Sequence, residues 1–405
     1  MNPYLEKLQP YPFEKLRALK AGCQPPEALP HIALSVGEPK HPAPGFAEDA
    51  IRDHLDGINT YPMTRGLDAL RAAIADWVNQ RFGLQQAPID PQSQVLPVNG
   101  TREALFAFAQ CVIDAGADQN VLMPNPFYQI YEGAALLAGA RPVFYNTLES
   151  NAYLPDFDAI DEDTWRDCGL LYICTPGNPT GALIDEATMI ELIAKAEKYD
   201  FVIASDECYS EIYGDESAPP AGLLQAARAC GNHDYSRCVA FHSLSKRSNL
   251  PGLRSGFVAG DARILEQFLL YRTYHGCAMP PSHQHASIAA WQDEAHVVEN
   301  RERYRRKFEL VTQILGEVTD VRQPDAGFYL WLKTPIDDAE FARGLFDAMN
   351  VTVLPGSYLS REHDGINPGS HHVRMALVAG IDECEQAALR IRDHIQQITV
   401  QQQAS

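Results

Sequence analysis

The chain has 405 residues, of which 45% are hydrophobic and 21% are charged, a composition typical of a globular protein with two or three domains. Lys and Arg total 33 against 53 Asp and Glu, a formal net charge of −20, which disfavours binding to nucleic acid or to an anionic membrane surface. No run of about 18 apolar residues occurs, so no membrane-spanning helix is expected.

The sequence starts with a Pro-rich arm over the first 30 residues, followed by a predicted short helix near residues 13–20. No basic segment followed by an apolar stretch occurs at this end, which predicts the absence of a secretory signal. The nine cysteines are scattered and form no Cys-x-x-Cys pair. Reduced thiols and a cytoplasmic location are therefore expected, with neither a disulfide framework nor a zinc site.

The middle of the chain alternates short apolar runs with helical stretches. Seven runs are predicted as strands: 95–98, 121–123, 142–145, 170–174, 201–204, 238–241 and 256–259. Unbroken apolar runs separated by helices indicate a mostly parallel sheet with helices on both faces, hence an α/β fold. The Pro-Asn-Pro string at residues 124–126 is interpreted as a turn that follows the second run.

From Ala286 onward, helices alternate with strand-like segments at 328–332, 352–354 and 373–377. This pattern predicts a smaller α+β domain. The predicted division is 1–49 for the N-terminal arm and part of the small domain, 50–285 for the large domain, and 286–405 for the small domain. The basic run at residues 301–307 is interpreted as a solvated helix face.

Ligands of open α/β sheets bind beyond the carboxyl ends of the strands, so the residues that follow each apolar run are the candidates for chemistry. Asn99, Gly100 and Thr101 lie between a strand and a helix, where free N–H groups favour a phosphate. Ser243, Ser245 and Arg254 also suit a phosphate dianion. The alternative is that the serines satisfy a loop and the arginine forms a structural ion pair.

Lys246 is the most informative single residue. A lysine at a strand end among small and apolar residues loses its charge by desolvation and becomes able to form a Schiff base. Asp206 provides a carboxylate that keeps a pyridinium nitrogen protonated, which makes the ring an electron sink. Tyr209 and Asn178 have groups that hydrogen-bond a ring oxygen, and Tyr128 can stack on the ring. Each residue, taken alone, also suits a structural role.

Seven strings in order resemble the class I/II aminotransferases of the aspartate aminotransferase type, which have fold type I. They are Asn-Gly-Thr-Arg-Glu-Ala-Leu (99–105), Pro-Phe-Tyr-Gln-Ile-Tyr (126–131), Pro-Gly-Asn-Pro-Thr-Gly (176–181), Ser-Asp-Glu-Cys-Tyr (205–209), Ser-Leu-Ser-Lys (243–246), Pro-Gly-Leu-Arg-Ser-Gly (251–256) and His-Val-Arg-Met-Ala (372–376). The resemblance implies a large domain with a mostly parallel sheet of seven strands between helices, together with a smaller α+β domain.

The resemblance also implies a role for each matching residue. Lys246 would attach pyridoxal 5′-phosphate and move a proton between the substrate Cα and the cofactor, and Asp206 would pair with the ring nitrogen. The remaining cofactor-binding residues implied are Asn178 and Tyr209 at the phenolic oxygen, Tyr128 on the ring, and Gly100, Thr101, Arg102, Ser243, Ser245 and Arg254 at the phosphate. Arg374 would bind the substrate α-carboxylate, with Gly37 and Asn178 beside it.

Tyr61 matches the tyrosine that reaches the phosphate of a neighbouring subunit, which implies a homodimer with shared sites. The strings at 1–16, 37–41 and 245–252 also resemble the bacterial succinyldiaminopimelate aminotransferases. This group transfers the amino group of glutamate to N-succinyl-2-amino-6-oxopimelate in lysine biosynthesis. A distal carboxylate then needs a further contact, for which Arg65, Arg102 and Arg247 are candidates; Arg272 does not obviously align with the arginine of dicarboxylate-specific relatives.

Other functions stay open at this point. Aminotransferases for aspartate, alanine or N-acetylornithine, and a carbon–sulfur lyase, share these motifs. A cofactor-sensing regulator would resemble a fusion with a basic DNA-binding domain at the N-terminus, which the short Pro-rich segment does not match. The His283/His285 and His371/His372 pairs lack the flanking carboxylates or cysteines of a metal site, so no metal is expected.

Overall fold

The structure is a computed structural model that describes residues 1–404. Twelve strands occur in this range: β1 Ile32–Ala33, β2 Val95–Val98, β3 Asn120–Asn125, β4 Arg141–Asn146, β5 Cys168–Cys174, β6 Val202–Asp206, β7 Cys238–Ser243, β8 Gly256–Gly260, β9 Tyr329–Lys333, β10 Val351–Thr352, β11 Leu354–Pro355 and β12 His372–Ala376.

The same range holds fourteen α-helices: α1 Pro12–Leu19, α2 Gly45–Asp53, α3 Asp68–Arg81, α4 Thr101–Val112, α5 Ile130–Leu137, α6 Glu162–Arg166, α7 Glu186–Tyr199, α8 Leu223–Ala229, α9 Leu244–Arg247, α10 Ala262–His275, α11 Pro281–Gln292, α12 Ala295–Leu315, α13 Asp338–Met349 and α14 Ile381–Ala404. Short 3₁₀ helices lie at Pro3–Lys7, Leu55–Asn59, Glu149–Asn151, Phe157–Ala159, Pro251–Leu253 and Gly356–Leu359. None of the helices in residues 1–404 is both long and apolar enough to cross a bilayer.

The large sheet has seven strands in the order β2-β8-β7-β6-β5-β3-β4. Strand β8 is antiparallel to both of its neighbours, and the other pairs are parallel. The predicted α/β fold with a mostly parallel seven-stranded sheet is therefore confirmed. All seven predicted runs lie in strands of this sheet; only the 201–204 run begins one residue early, since β6 starts at Val202.

Helices cover both faces of this sheet, which explains why the strands have no polar face. Along β5, Leu171 and Ile173 pack into a core with α3, α7 and α8, whereas Leu170 and Tyr172 pack into a second core with α4, α5 and α10. Side chains alternate between the two faces of a strand, so a strand with two buried faces is apolar throughout.

The C-terminal part forms a three-stranded antiparallel sheet in the order β11-β12-β9. The N-terminal segment joins it because β1 pairs in parallel with β10, and Ile32 and Leu34 enter the core that contains Leu330, Met375 and Ile391. The predicted boundary between residues 285 and 286 falls inside α11. The domain limits themselves stay predictions.

Candidate active site

A cleft of about 510 Å³ lies between the carboxyl ends of β6 and β7 and the small sheet. Most of the predicted site residues line it: Gly37, Thr101, Arg102, Tyr128, Asn178, Asp206, Tyr209, Ser243, Ser245, Lys246, Arg254 and Arg374. Gly100 lies directly before Thr101, against the Arg254 guanidinium. Of the residues to which the resemblance gives a role, all but Tyr61 therefore lie at this cleft.

Lys246 lies on the short helix α9, directly after β7. Its Nζ donates a hydrogen bond to the Gly37 carbonyl oxygen. Desolvation lowers the Lys246 pKa from 10.5 to about 8, and the nearby Arg374 and Arg102 also lower it, whereas Cys208 and Glu38 raise it. A neutral amine, which is the nucleophilic form, is therefore accessible near neutral pH.

Asp206 ends β6 and is buried. Its Oδ2 accepts a hydrogen bond of 2.6 Å from the Tyr131 hydroxyl, and its Oδ1 accepts one of 3.3 Å from the Cys208 backbone N–H. Burial raises the Asp206 pKa, while these hydrogen bonds and His242 lower it. The carboxylate forms no salt bridge within residues 1–404, so a cationic ring nitrogen would supply the missing charge.

The start of α4 forms one end of the cleft. Gly100 has a φ of +85° and lies so close to the Arg254 guanidinium that a Cβ at this position would overlap it. Arg254 Nη1 donates to the Pro251 carbonyl at 2.8 Å, and the guanidinium forms no salt bridge in the described chain. Ser243 Oγ accepts a hydrogen bond of 3.1 Å from Ser245 N, so one lone pair of this serine caps α9.

Arg374 comes from β12 and lies at the other end of the cleft, buried. Its Nη1 donates to Asn178 Oδ1 at 3.0 Å, and its Nη2 donates to the Ser35 carbonyl at 2.9 Å. Its Nε is buried without a hydrogen-bond partner, and its guanidinium lies 4.3 Å from the centroid of the Tyr329 ring. Two neutral acceptors hold this cation, so its charge is not compensated by an acid.

The cleft mouth is formed by Tyr128, Arg102 and the N-terminal segment. Arg102 Nε donates to the Tyr128 hydroxyl at 2.8 Å, and its Nη2 donates to the Tyr11 hydroxyl at 3.2 Å. Arg102 forms no salt bridge in the described residues. It is thus the fourth cation of the cleft, after Lys246, Arg254 and Arg374.

The structure excludes one candidate for binding a distal carboxylate and places a second one outside the cleft; Arg272, which was not a candidate, is also outside it. Arg247 is buried against the Trp77 and Trp291 rings and pairs with Glu294, so the hypothesis that it binds substrate is wrong. Arg65 lies in a separate surface groove and donates to Gln92 Oε1. Arg272 is fully buried and pairs with Glu103.

Tyr61 stands apart from the cleft, with its side chain fully exposed (99%). The exposed side chains of Leu55, Ile58 and Met63 accompany it. Tyr61 therefore does not contact the cleft of its own chain. The implied contact with a second subunit stays a prediction.

The interpretation of residues 301–307 as a solvated face is wrong in part, because Arg301 and Lys307 are buried. Arg301 pairs with Glu216. Lys307 Nζ is hydrogen-bonded to His41 Nε2 at 2.6 Å and to the Leu377 carbonyl at 3.1 Å. The charge pattern alone did not distinguish these buried cations from the exposed Arg306 of the same run.

The histidine pairs have ordinary contacts. His285 stacks on His54, and His283 is hydrogen-bonded to the Leu253 carbonyl. His371 and His372 contact the carbonyls of Ile336 and Ser370. In the described part of the chain, no group of three His, Cys, Asp or Glu side chains is arranged to hold a metal ion.

Three tyrosines in or behind the cleft were not predicted as site residues. Tyr131 holds Asp206, Tyr329 contacts both Tyr209 and Arg374, and Tyr11 contacts Arg102. Tyr131 is the last residue of the matched string at 126–131, and its place in that string could have identified it as a site residue. Nothing in the local sequence marks Tyr11 or Tyr329, because their partners lie far away along the chain.

The donor set fits pyridoxal 5′-phosphate. A buried carboxylate without a cationic partner suits the ring nitrogen, and a partly desolvated lysine suits the aldehyde. The α4 N-terminus, two serine hydroxyls and an unpaired arginine suit the phosphate. These groups lie in one cleft, because Asp206 ends β6 and Lys246 lies on α9, directly after the neighbouring strand β7.

Comparisons with known proteins agree with this chemistry. The family model described as aminotransferase class I and II matches residues 30–391. The LL-diaminopimelate aminotransferase of Maridesulfovibrio salexigens is 30% identical over 393 residues, covering 96% of this chain and 97% of the relative. An aminotransferase structure from Neisseria meningitidis is 48% identical with a TM-score of 0.92, covering 97% of this chain and 99% of that one.

A further solved structure, a probable N-succinyldiaminopimelate aminotransferase from Thermus thermophilus, is 26% identical with a TM-score of 0.84. The alignment covers 95% of this chain and 100% of that one. The match of the family model over most of the chain decides the assignment, and the geometry of the cleft agrees with it. The chain therefore belongs to the class I and II aminotransferases, which depend on pyridoxal 5′-phosphate and exchange an amino group between amino acids and 2-oxo acids.

Proposed function

We propose that this chain transfers the amino group of glutamate to a 2-oxo precursor of diaminopimelate, with N-succinyl-2-amino-6-oxopimelate as the acceptor. The observation that carries the proposal is the cleft itself, where four cations face a space lined by few acids: Lys246, Arg102, Arg254 and Arg374. Such a site suits a phosphate together with a substrate that carries more than one carboxylate.

Bound pyridoxal phosphate supplies an electron sink for the electron pair left when the substrate Cα loses its proton. Lys246 Nζ, which is neutral above its pKa of about 8, accepts that proton and returns it. Asp206 would stabilise the positive charge at the ring nitrogen, and Tyr131 holds the Asp206 carboxylate in place. Tyr209 and Asn178 would donate hydrogen bonds to the ring oxygen, and Tyr128 would pack against the ring.

Arg374 orients the substrate. Its guanidinium presents a fork that binds a carboxylate in two places, and the contacts to Asn178 and Ser35 fix its plane. A carboxylate held this way fixes the direction of the neighbouring Cα–H bond, which is an orientation effect on the rate. The Gly37 backbone lies at the same end, beside the Lys246 amine.

Arg102 is proposed to contact the distal carboxylate, since it is the candidate arginine that lines the cleft. It lies at the mouth, where Tyr11 and Tyr128 hold it. The implied role of Arg102 at the phosphate is compatible with this position at the start of α4. Both roles use the same uncompensated charge.

The names of the similar proteins support diaminopimelate chemistry and differ on succinylation. The curated relative from Maridesulfovibrio salexigens is an LL-diaminopimelate aminotransferase, whereas the Thermus thermophilus structure is a probable N-succinyldiaminopimelate aminotransferase. The LL-diaminopimelate aminotransferase is the more similar of the two in sequence, and it supports an unacylated acceptor as the second candidate. The strings at 1–16, 37–41 and 245–252 resemble the succinyl-specific group and support the succinylated acceptor as the first candidate.

We also propose a homodimer in which Tyr61 reaches the phosphate of the second subunit. Four large apolar side chains, Leu55, Ile58, Tyr61 and Met63, are exposed in this short segment, which supports its burial against another chain. The nine cysteines are all free thiols, which supports a reducing compartment and hence the cytoplasm.

A panel of half-reactions tests this function. The holoenzyme is first aminated with glutamate, and N-succinyl-2-amino-6-oxopimelate, the unacylated 2-amino-6-oxopimelate, N-acetylglutamate semialdehyde, oxaloacetate and pyruvate are then offered separately. Recovery of the original visible band with the succinyl compound, at the highest kcat/KM, supports the proposal. Preference for the unacylated compound supports the second candidate. Release of thiol and pyruvate from a cysteine thioether, without amination by glutamate, contradicts both and indicates a lyase.

A further inference from the structure

Tyr329 connects the two ends of the candidate site. It begins β9 in the small sheet and is buried, with 4% of its surface exposed. Its hydroxyl lies 3.0 Å from the Tyr209 hydroxyl, which follows β6 of the large sheet. Its ring lies under the Arg374 guanidinium, 4.3 Å away. One side chain thus contacts a residue proposed to bind the cofactor and a residue proposed to bind the substrate.

We propose that Tyr329 is a positioning residue with two separable actions: its hydroxyl fixes the direction of the Tyr209 hydroxyl, and its ring fixes the plane of the Arg374 guanidinium. This inference rests on the proposed function, because it needs Tyr209 to act on the cofactor and Arg374 on the substrate carboxylate. It adds a residue that none of the seven motif strings contains.

The hydroxyl action follows from the surroundings of Tyr209. Its hydroxyl has Tyr329 as its hydrogen-bond partner, and its ring packs edge-to-face with the Phe328 ring, with the ring centroids 5.3 Å apart. Desolvation raises the Tyr209 pKa well above its usual value, so this phenol stays protonated and can donate. When the Tyr329 hydroxyl donates to the Tyr209 oxygen, the Tyr209 hydroxyl is free to donate its own proton to another acceptor. Because the Tyr209 oxygen then accepts one hydrogen bond, the hydrogen bond that Tyr209 donates is strengthened.

The ring action follows from the contacts of Arg374. A guanidinium stacked on an aromatic face is attracted by the ring quadrupole, and the attraction grows when the pair is buried, as here. The Tyr329 ring leaves the guanidinium edge free to meet a carboxylate. Gly37 shares this space: a Cβ at Gly37 would overlap the Tyr329 hydroxyl, so the absence of a side chain there allows Tyr329 to lie between the substrate loop and Tyr209.

The test compares Tyr329→Phe and Tyr329→Leu as holoenzymes, with two readouts. The first is the apparent pKa of the visible absorption band of the bound cofactor, and the second is the split between KM and kcat for glutamate. Tyr329→Phe keeps the ring and loses the hydroxyl. A weakened Tyr209 stabilises the anionic ring oxygen less, so the apparent pKa should rise by about half to one unit, while KM stays unchanged.

Tyr329→Leu loses both groups. It should show the same rise in the apparent pKa together with an increase of about tenfold in KM for glutamate, because Arg374 loses its aromatic support. Tyr304→Phe is the matched control, since the Tyr304 hydroxyl is buried nearby and has no hydrogen-bond partner. This variant should leave the apparent pKa and KM as in the wild type.

Tyr209→Phe separates failure of the inference from failure of the proposed function. If Tyr209→Phe raises the apparent pKa and Tyr329→Phe does not, the hydroxyl action is overturned while the role of Tyr209 stands. If neither variant changes the apparent pKa, the role of Tyr209 is overturned, and the inference about Tyr329 is overturned with it. An unchanged KM in Tyr329→Leu, measured where Arg374→Lys raises KM, overturns the ring action. Gly37→Ala, which displaces the Tyr329 hydroxyl without removing it, should reproduce the effect of Tyr329→Phe.

Discussion

The ion pair between the buried Arg272 and the partly buried Glu103, beside the start of α4, gives a quantitative prediction. The Arg272 side chain is fully buried (0% exposed), and its Nη1 lies 2.7 Å from each carboxylate oxygen of Glu103. Glu103 also accepts a hydrogen bond of 2.9 Å from Asn99 N, at the turn before α4. Glu103→Gln keeps the shape and an acceptor for Asn99 but leaves the Arg272 charge buried without a counterion.

The expected cost of Glu103→Gln is about 3 kcal/mol, the lower end of the range for breaking a buried pair, because one hydrogen-bond acceptor remains. Arg272 Nε and Nη2 already have no partner, so the protein has no other acceptor that takes over the charge. Replacing both residues, as Glu103→Gln with Arg272→Met, removes the buried charge and should recover most of the lost stability.

Urea unfolding of the holoenzyme, followed by far-ultraviolet circular dichroism at saturating cofactor, measures these differences. Glu162→Gln is the matched control, since Glu162 pairs with Arg166 at the surface and both side chains are 60% exposed; its cost should stay below about 1 kcal/mol. A loss in Glu103→Gln no larger than in this control, or a double variant less stable than the single one, refutes the reasoning.

Three further predictions follow from other contacts. Arg374→Lys keeps the charge but loses the fork, so kcat/KM for glutamate should fall about 10- to 100-fold in steady-state assays. Tyr131→Phe removes a hydrogen bond that lowers the Asp206 pKa, so the acid limb of the kcat/KM profile should move to higher pH. Desolvation lowers the Lys307 pKa to about 8 in the folded chain, so wild-type stability relative to Lys307→Met should rise between pH 8 and 10.5, by at most about 3 kcal/mol in urea unfolding. A flat difference over that window contradicts the buried, depressed lysine.

The strands of the large sheet were predictable because both of its faces are buried, which makes each strand a continuous apolar run. One stretch departs from this rule. Residues 124–125 were predicted to lie in a turn, yet β3 continues to Asn125. Beyond Leu122, β3 pairs with β4 and no longer with β5, so Pro124 lies where the sheet has a local edge and a missing N–H is tolerated.

The small sheet was harder to predict because its strands are short and its pairing is long-range. The segment predicted as one strand at 352–354 is divided between β10, which pairs with the N-terminal β1, and β11, which pairs with β12. Pairing with residues more than 300 positions away leaves no local signal. The hydrophobic pattern therefore located the strand segment but not its division.

The candidate site was likewise predictable only in part. Residues at strand ends and in the motif strings were predictable, because position after a buried strand brings side chains to one rim. Whether an individual charged side chain is buried or exposed was not predictable. Arg247 and Lys307 are buried with specific partners, and the sequence contains nothing that separates them from exposed cations. Tyr329 meets Tyr209 across 120 positions, a contact that only the packing of the two sheets creates.

Lys246 is proposed to carry the cofactor at which the amino group is exchanged. Borohydride reduction of the holoenzyme fixes the covalent link to the protein, and peptide mass spectrometry then locates the modified residue. We expect a phosphopyridoxyl group on Lys246, and we expect it to be lost when the enzyme is treated with glutamate before reduction. A label on another lysine, or a label on Lys246 that glutamate leaves unchanged, would show that Lys246 does not have this role.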